Sequence, residues 1–136
     1  MQEFDILAYS GGKLGIGVDI EEIERFQGLA PEKDARFLNR LFTPGEIEYC
    51  FAGSSPAQHL AARFCGKEAV IKALNCLKTP VPAYRDIEIA NGPSGMPFIK
   101  VKGDSFGHID FLISLSHCAQ TAIAFVIACS KSPGNG

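Results

Sequence analysis

The chain has 136 residues, 46% of them hydrophobic and 21% charged, which suits one globular domain and excludes a disordered or fibrous protein. Thirteen Lys and Arg against fifteen Asp and Glu give a formal net charge of -2, so the basic excess of a dedicated nucleic-acid-binding protein is absent. The five cysteines form no CxxC pair, which argues against a disulfide framework or a structural zinc site and favours the reducing cytoplasm.

The ends of the sequence predict neither export nor membrane insertion. The first ten residues, MQEFDILAYS, lack the basic and apolar regions of a signal peptide. The longest apolar run, residues 122–129, is far shorter than the ~20 residues of a membrane-spanning helix. We therefore expect a single domain over residues 1–136, with residues 1–13 as an N-terminal extension and residues 130–136 as a frayed tail.

Apolar residues alternate with glycine and aspartate over residues 14–20, which is the period of a half-buried strand. One face of this strand is apolar, and the other carries Gly15, Gly17 and Asp19. Glycine lets a ligand or another backbone come close where a side chain would block it. Asp19 is thus a candidate ligand residue, although an acid at the end of a strand is also commonly a helix cap.

Helical patterns follow this strand. Residues 21–30 and 34–42 each predict a short helix. In the motif FTPGE, a threonine cap, a proline at the first helical position and a glutamate three residues after the cap predict a helix over residues 44–52. Ser55 and Pro56 repeat the signal and open a long helix that runs to about residue 77.

The remainder of the chain predicts strands. Alternating or β-branched stretches occur at residues 86–90, 98–102, 111–117 and 121–129. Their short spacing favours antiparallel pairing. The predicted fold class is α+β, with a mainly antiparallel sheet packed against one long helix and several short ones.

The long helix carries the first cluster of charged residues. On a helical wheel, Glu68 lies at the edge of an apolar arc, so we expect it to be half-buried. A carboxylate there is costly unless it pairs with Lys72 one turn later or binds a cation. Arg63 and Lys67 share a stripe and, with Lys72, could bracket an anion, although the spacing alone favours a solvated basic face.

The strand that ends in ISLSH offers further polar side chains. His117 lies on the apolar face of this strand, a position typical of a satisfied core histidine. Ser114 and Ser116 point to the opposite face, where they could donate to a phosphate or to backbone.

Taken together, GIGVDIEEIERF, FTPGE, ARFCGKEAVIKAL and ISLSH resemble the holo-acyl-carrier-protein synthase family of 4'-phosphopantetheinyl transferases, in order and over nearly the whole chain. The pairing of GIGxDI with KEAxxKA is specific to this family. Cys65 and Gly66 depart from the alanines usual before KEA, and Met96 stands where a basic residue is familiar.

The resemblance implies the phosphopantetheinyl transferase fold, Mg²⁺ as cofactor and coenzyme A as co-substrate. It implies that Asp19 and Glu68 are metal ligands, that Glu68 and Lys72 are catalytic, and that Arg25 meets an acyl carrier protein. It also implies a coenzyme A site formed by Arg63, Lys67, Lys72, Pro97, Ser116 and His117.

In the implied cytoplasmic reaction, a carrier serine attacks the β-phosphorus of coenzyme A, and adenosine 3',5'-bisphosphate leaves. The resemblance implies fatty acid biosynthesis, and a carrier from polyketide synthesis is the alternative. The proton acceptor is either Glu68 or a water on the metal. The family also implies a homotrimer with its sites at subunit interfaces. Two alternatives remain at this point: a Mg²⁺-dependent phosphohydrolase, which would consume coenzyme A without a carrier, and a non-catalytic module that binds the carrier regardless of Mg²⁺.

Overall fold

A computed structural model of the chain describes residues 12–131, so most of the predicted N-terminal extension and tail lies outside the described residues. The strands are β1 (Lys13–Glu22), β2 (Ile87–Asn91), β3 (Pro97–Val101), β4 (Ile109–His117) and β5 (Thr121–Ser130). The α-helices are α1 (Ala35–Leu41), α2 (Pro44–Ala52) and α3 (Pro56–Cys76). Short 3-10 helices lie at Ile23–Phe26, Tyr84–Asp86 and Asp104–Phe106.

The strands form two antiparallel sheets. The larger has the order β1-β5-β4, and β2 and β3 form a separate hairpin. The long helix α3 contacts β1, β5, β4 and β2 as well as α2, which confirms the predicted α+β architecture. Within residues 12–131, none of the helices has the length and apolarity needed to cross a bilayer.

Burial of α3 extends well beyond one apolar arc, because the helix is enclosed by both sheets. Gly66 is one of the two unusual residues before KEA, and its packing explains why it is a glycine. A Cβ at this position would lie 3.1 Å from side-chain atoms of both Ile89 and Ile113. The two sheets therefore meet α3 at Gly66, where tight packing offsets the poor helix propensity of glycine.

The helices predicted over residues 34–42, over residues 44–52 and from residue 56 to about residue 77 are confirmed, and the one predicted over residues 21–30 is wrong. Thr43 and Glu46 form the expected capping box at α2. Ser55 precedes α3 but makes no side-chain cap hydrogen bond. The helix predicted for residues 21–30 is wrong, because β1 continues to Glu22 and the Ile23 amide donates to the Gln120 carbonyl at 2.9 Å, leaving room for only a 3-10 turn.

The buried face of β1 is its glycine face and not its apolar one. A Cβ on Gly17 would lie 2.0 Å from the Ala69 carbonyl oxygen, and one on Gly15 would lie 2.2 Å from that of Ala73. The β1 backbone thus rests directly on α3, as only glycine permits. The apolar residues of β1 point away from α3 and are exposed in the single chain, with Ile16 at 60% and Ile20 at 62%.

Candidate active site

The contact between β1 and α3 determines where Asp19 lies. Asp19 follows Gly17 on the same face, and two strand residues advance about as far as four helix residues. Asp19 therefore comes beside Cys65, one turn before the Gly17 contact. Burial raises the pKa of the Cys65 thiol to about 12, and the negative charge of Asp19 contributes to the shift.

Lys72 reaches across to β1 from α3. Its Nζ donates to the Val18 carbonyl oxygen at 2.8 Å and forms an ion pair with Asp19 Oδ1 at 3.3 Å. Its side chain is half exposed, whereas that of Asp19 is largely buried. The ion pair of Lys72 is therefore with Asp19, and the expected pairing with Glu68 along the helix is replaced by a contact between two elements.

Glu68 is half-buried, as predicted. Its Oε1 accepts a hydrogen bond of 2.5 Å from the Tyr84 hydroxyl. This bond, together with burial and the charge of Glu68, raises the pKa of Tyr84 to about 12, and the charge of Asp19 acts in the same direction. Lys72, which pairs with Asp19, lies one helical turn after Glu68 on α3, so Asp19 and Glu68 lie in the same region.

The residues of this region fit a magnesium ion that is held partly by its substrate. Asp19 Oδ2 is a buried carboxylate oxygen without a hydrogen-bond partner among residues 12–131. In the same part of the chain, no group of three or more His, Cys, Asp and Glu side chains could enclose a metal. Mg²⁺ is usually bound by one or two carboxylates together with water and substrate phosphates, and Asp19 and Glu68 supply two carboxylates here.

Arg25 lies at the margin of the carboxylates, in the 3-10 turn after β1. Its guanidinium carbon lies 5.0 Å from the centroid of the Phe64 ring, and Nη1 pairs with Glu21 at 2.9 Å. The positive charge of Arg25 lowers the pKa of Tyr84, in opposition to the carboxylates. About half of the Arg25 side chain remains exposed.

Arg63 lines a second feature, which we call the arginine cavity. This cavity has a volume of about 320 Å³ and is lined by Gly45, Glu46, Tyr49, Arg63, Glu88, Ile89, Ala90 and Asn91. Arg63 is 4% exposed, lies 4.1 Å above the Tyr49 ring, and has a buried Nε without a partner in the described chain. The expected solvated basic face is therefore wrong for Arg63.

Lys67 is fully buried inside the protein. Its Nζ pairs with Glu46 Oε1 at 2.6 Å and donates to the carbonyl oxygens of Tyr84, at 2.8 Å, and Ile87. Burial lowers the pKa of this lysine, and Glu46 opposes the shift. These three acceptors use all three donors of the ammonium, so Lys67 has none left for a phosphate of coenzyme A. The solvated-face interpretation is also wrong for Lys67.

His117 is exposed at the end of β4, so its interpretation as a core histidine is wrong. The Gln58 amide contacts both ring nitrogens, with 2.9 Å between Nε2 of Gln58 and Nε2 of His117. Burial lowers the pKa of the neighbouring His59, and electrostatic interaction with Arg63 adds to the effect. Gln58 lies in the first turn of α3, so His117 contacts the same half of the helix that carries Arg63.

The two remaining predicted residues lie at different places. Pro97 begins β3 and pairs with Asn91, which lines the arginine cavity. Ser116 pairs with Ile123 on the exposed face of the larger sheet, opposite to the face of His117. In the single chain Ser116 is thus separated from the other predicted coenzyme A residues.

Sequence patterns missed three residues of this region. Tyr84 lies in the aperiodic segment KTPVPAYRD, which gave no signal. Tyr49 is a half-exposed helix residue whose contact with Arg63 depends on how α2 packs on α3. Glu46 was identified as a capping residue, but its burial against Lys67 could not be inferred from the capping motif.

Comparison with known proteins identifies the family of the chain. A family profile described as the 4'-phosphopantetheinyl transferase superfamily matches residues 15–126. The holo-[acyl-carrier-protein] synthase of Protochlamydia amoebophila is 44% identical over 117 residues, covering 84% of this chain and 96% of that protein. That of Thermodesulfovibrio yellowstonii is 44% identical over 113 residues, covering 83% and 96%.

Among solved structures, the holo-[acyl-carrier-protein] synthase of Helicobacter pylori in complex with coenzyme A superposes with a TM-score of 0.68 at 28% identity, covering 83% of this chain and 98% of that one. The synthase of Neisseria meningitidis gives a TM-score of 0.69 at 30% identity, covering 84% and 96%. The chain belongs to the holo-[acyl-carrier-protein] synthase family of the 4'-phosphopantetheinyl transferase superfamily.

Proposed function

We propose that this chain transfers the 4'-phosphopantetheine group of coenzyme A to a serine of an apo acyl carrier protein, in a Mg²⁺-dependent reaction. The observation that carries the proposal is the ion pair between Asp19 and Lys72 where β1 crosses α3, one helical turn from Glu68. Relatives that share this fold and sequence are holo-[acyl-carrier-protein] synthases, and the Helicobacter pylori structure is a coenzyme A complex.

Asp19 and Glu68 are the residues that would hold Mg²⁺. The unpartnered Oδ2 of Asp19 is a free ligand atom, since its Oδ1 is occupied by Lys72. When bound, Mg²⁺ supplies positive charge to the pyrophosphate oxygens of coenzyme A. Two carboxylates from the protein would suffice, because water and substrate phosphates commonly supply the remaining ligands of Mg²⁺.

In the proposed reaction, a bond forms between the serine oxygen and the β-phosphorus, and the bond from that phosphorus to the leaving adenosine 3',5'-bisphosphate breaks. Glu68 accepts the serine proton, directly or through a water. The half-exposed ammonium of Lys72 neutralises charge on the phosphoryl group or the leaving group. Positioning and charge neutralisation thus account for most of the catalysis.

The arginine cavity is the proposed site of the nucleotide end of coenzyme A. The buried Nε of Arg63 is an unused donor for an anionic group, and Tyr49 orients the guanidinium. Pro97 borders the cavity through its pairing with Asn91, and His117 contacts the half of α3 that carries Arg63. Lys67 takes no part in this proposed site, because its donors are all used within the fold.

We further propose a homotrimer whose active sites lie at subunit interfaces. The exposed face of the larger sheet is rich in large apolar residues, including Ile16, Ile20 and Phe125, and a contiguous apolar face of this kind is typical of an interaction surface. Ser116 lies on this face, so a neighbouring copy would bring a second site close to it. Phe125→Glu should dissociate the trimer to monomers in native mass spectrometry, and a trimeric Phe125→Glu would contradict this proposal.

All five cysteines are free thiols, which supports a cytoplasmic location.

The carrier would meet the protein beside Arg25, whose exposed guanidinium can attract an acidic partner.

The experiment that tests the metal site uses Asp19→Asn and Glu68→Gln, which change charge with little change of shape. Each should abolish Mg²⁺-dependent transfer to apo carrier while circular dichroism and the trimer remain unchanged. Wild-type transfer rates in both variants would refute the assignment.

A further inference from the structure

Tyr84 is a residue near the carboxylates that no sequence motif pointed to. We propose that Tyr84 is a positioning residue that holds Glu68 in its metal-binding orientation. The inference rests on the proposed role of Glu68 as a Mg²⁺ ligand and goes beyond it by assigning the group that orients this ligand. The carrying observation is the 2.5 Å hydrogen bond from the Tyr84 hydroxyl to Glu68 Oε1.

The Tyr84 backbone is fixed from inside the protein. Its carbonyl oxygen accepts a hydrogen bond of 2.8 Å from Lys67, the ammonium that is itself paired with Glu46. The same ammonium binds the Ile87 carbonyl, so a single buried charge holds both ends of the 3-10 turn that carries Tyr84. Lys67 therefore contributes to the site through Tyr84.

The Tyr84 ring is fixed as well. It packs against Phe64 with the ring centroids 5.5 Å apart, and Phe64 is in turn held by Phe26 at 5.6 Å. Phe64 is 4% exposed, so this partner is part of the core. A hydroxyl on a ring held in this way has little freedom to leave Glu68.

The hydrogen bond selects which carboxylate oxygen is available. A carboxylate accepts and does not donate, so the phenol proton lies towards Glu68 Oε1. Bonds from a hydroxyl to a carboxylate are short and strong, at about 2.5–2.7 Å. With Oε1 engaged, Glu68 presents Oε2 in a fixed direction. Partners that orient metal ligands in this way are commonly worth about 10- to 100-fold in metal affinity or activity.

Tyr84→Phe tests this role, because it removes the hydroxyl and keeps the ring against Phe64. We would measure Mn²⁺ binding by electron paramagnetic resonance on the coenzyme A complex, and the KM for Mg²⁺ in the transfer assay. We expect metal affinity to fall about tenfold or more, with the KM for coenzyme A within about twofold and an unchanged fold by circular dichroism. Metal affinity within twofold of wild type would overturn the inference.

Thr79→Val is the matched control. It removes a hydroxyl from the same connection between α3 and β2, one that bonds to the Pro80 carbonyl at 3.1 Å. Metal affinity should stay within about twofold of wild type. A loss equal to that of Tyr84→Phe would mean that the whole connection, and not the hydroxyl on Glu68, controls the metal site, and would overturn the inference.

Glu68→Gln separates this inference from the proposed function. If Glu68→Gln keeps wild-type metal affinity, the metal site itself is wrong and the role of Tyr84 falls with it. If Glu68→Gln loses the metal and Tyr84→Phe does not, only the role of Tyr84 is refuted. The double variant should bind metal no more weakly than Glu68→Gln alone, because Tyr84 acts through Glu68; additive losses would contradict that route.

Discussion

Glu46 and Lys67 form an ion pair of 2.6 Å with both side chains almost wholly enclosed, at 1% and 0% exposure. Glu46 also accepts hydrogen bonds from the amides of Thr43, at 2.9 Å, and Ile89, at 3.0 Å. The capping residue of α2 is thereby joined to α3 and to β2. The pair links the motif FTPGE to the turn that carries Tyr84.

Removal of one partner of this pair should be strongly destabilising. We expect Lys67→Met to lower the free energy of unfolding by about 3–5 kcal/mol, because it leaves Glu46 charged and unpaired in the core. Urea denaturation measures the loss. The double variant Glu46→Gln/Lys67→Met should lose clearly less than the sum of the single losses. Simple additivity would show that the two residues are not coupled.

The approach of β1 to α3 gives a second prediction. We expect Gly17→Ala to cost about 3 kcal/mol or more and to reduce transfer, since the new Cβ would meet the Ala69 carbonyl oxygen and displace Asp19. Gly107→Ala is the control, because its φ is -64° and the nearest atom to a Cβ there is 3.7 Å away. Equal thermal midpoints for the two variants would contradict the close approach.

Much of the fold follows from local patterns. The sequence predicts the capping box at Thr43, the long helix and the strand alternation, because each depends on residues that are a few positions apart. The orientation of β1 was not, because an apolar face normally turns inward. Here the backbone of Gly15 and Gly17 packs on α3, and the apolar face is left exposed.

The site was predictable to a smaller extent. The family motifs point to Asp19, Glu68 and Lys72 as proposed site residues, but the partner of Lys72 depends on the crossing of β1 over α3. Burial of Arg63 and Lys67 arises because α2 and the β2-β3 hairpin cover one side of α3. No helical wheel of an isolated segment contains that information.

Arg25 should act in association with the carrier. Arg25→Glu should raise the KM for apo carrier about tenfold or more at low salt with little change in kcat, since exposed charges accelerate encounter over distances comparable to the screening length. Lys13→Glu is a matched charge reversal about 30 Å away, at the opposite end of β1. If Arg25→Glu and Lys13→Glu had indistinguishable kinetics, Arg25 would not be part of the surface that binds the carrier.

Lys72 should matter for turnover and hardly for stability. The Lys72 side chain is half exposed, although Asp19 is largely buried, so water screens the pair and Lys72→Ala should cost less than about 1 kcal/mol of stability. If the ammonium neutralises phosphoryl charge in the transition state, kcat should fall about 100-fold or more, with coenzyme A binding less affected.

Lys72→Arg serves as the companion variant. It keeps the charge on a broader planar group and should restore only part of the activity. A kcat of Lys72→Ala within about threefold of wild type would mean that Lys72 only forms an ion pair with Asp19 and has no catalytic role.

The most direct measurement combines the protein with apo acyl carrier protein, coenzyme A and Mg²⁺ and records the carrier by intact-mass spectrometry. We predict a carrier heavier by one phosphopantetheine, formation of adenosine 3',5'-bisphosphate in equal amount, and neither product when Mg²⁺ is chelated. Coenzyme A consumption without carrier would indicate a phosphohydrolase, and carrier binding without any mass gain would indicate a non-catalytic module. Either result would contradict the proposed transfer.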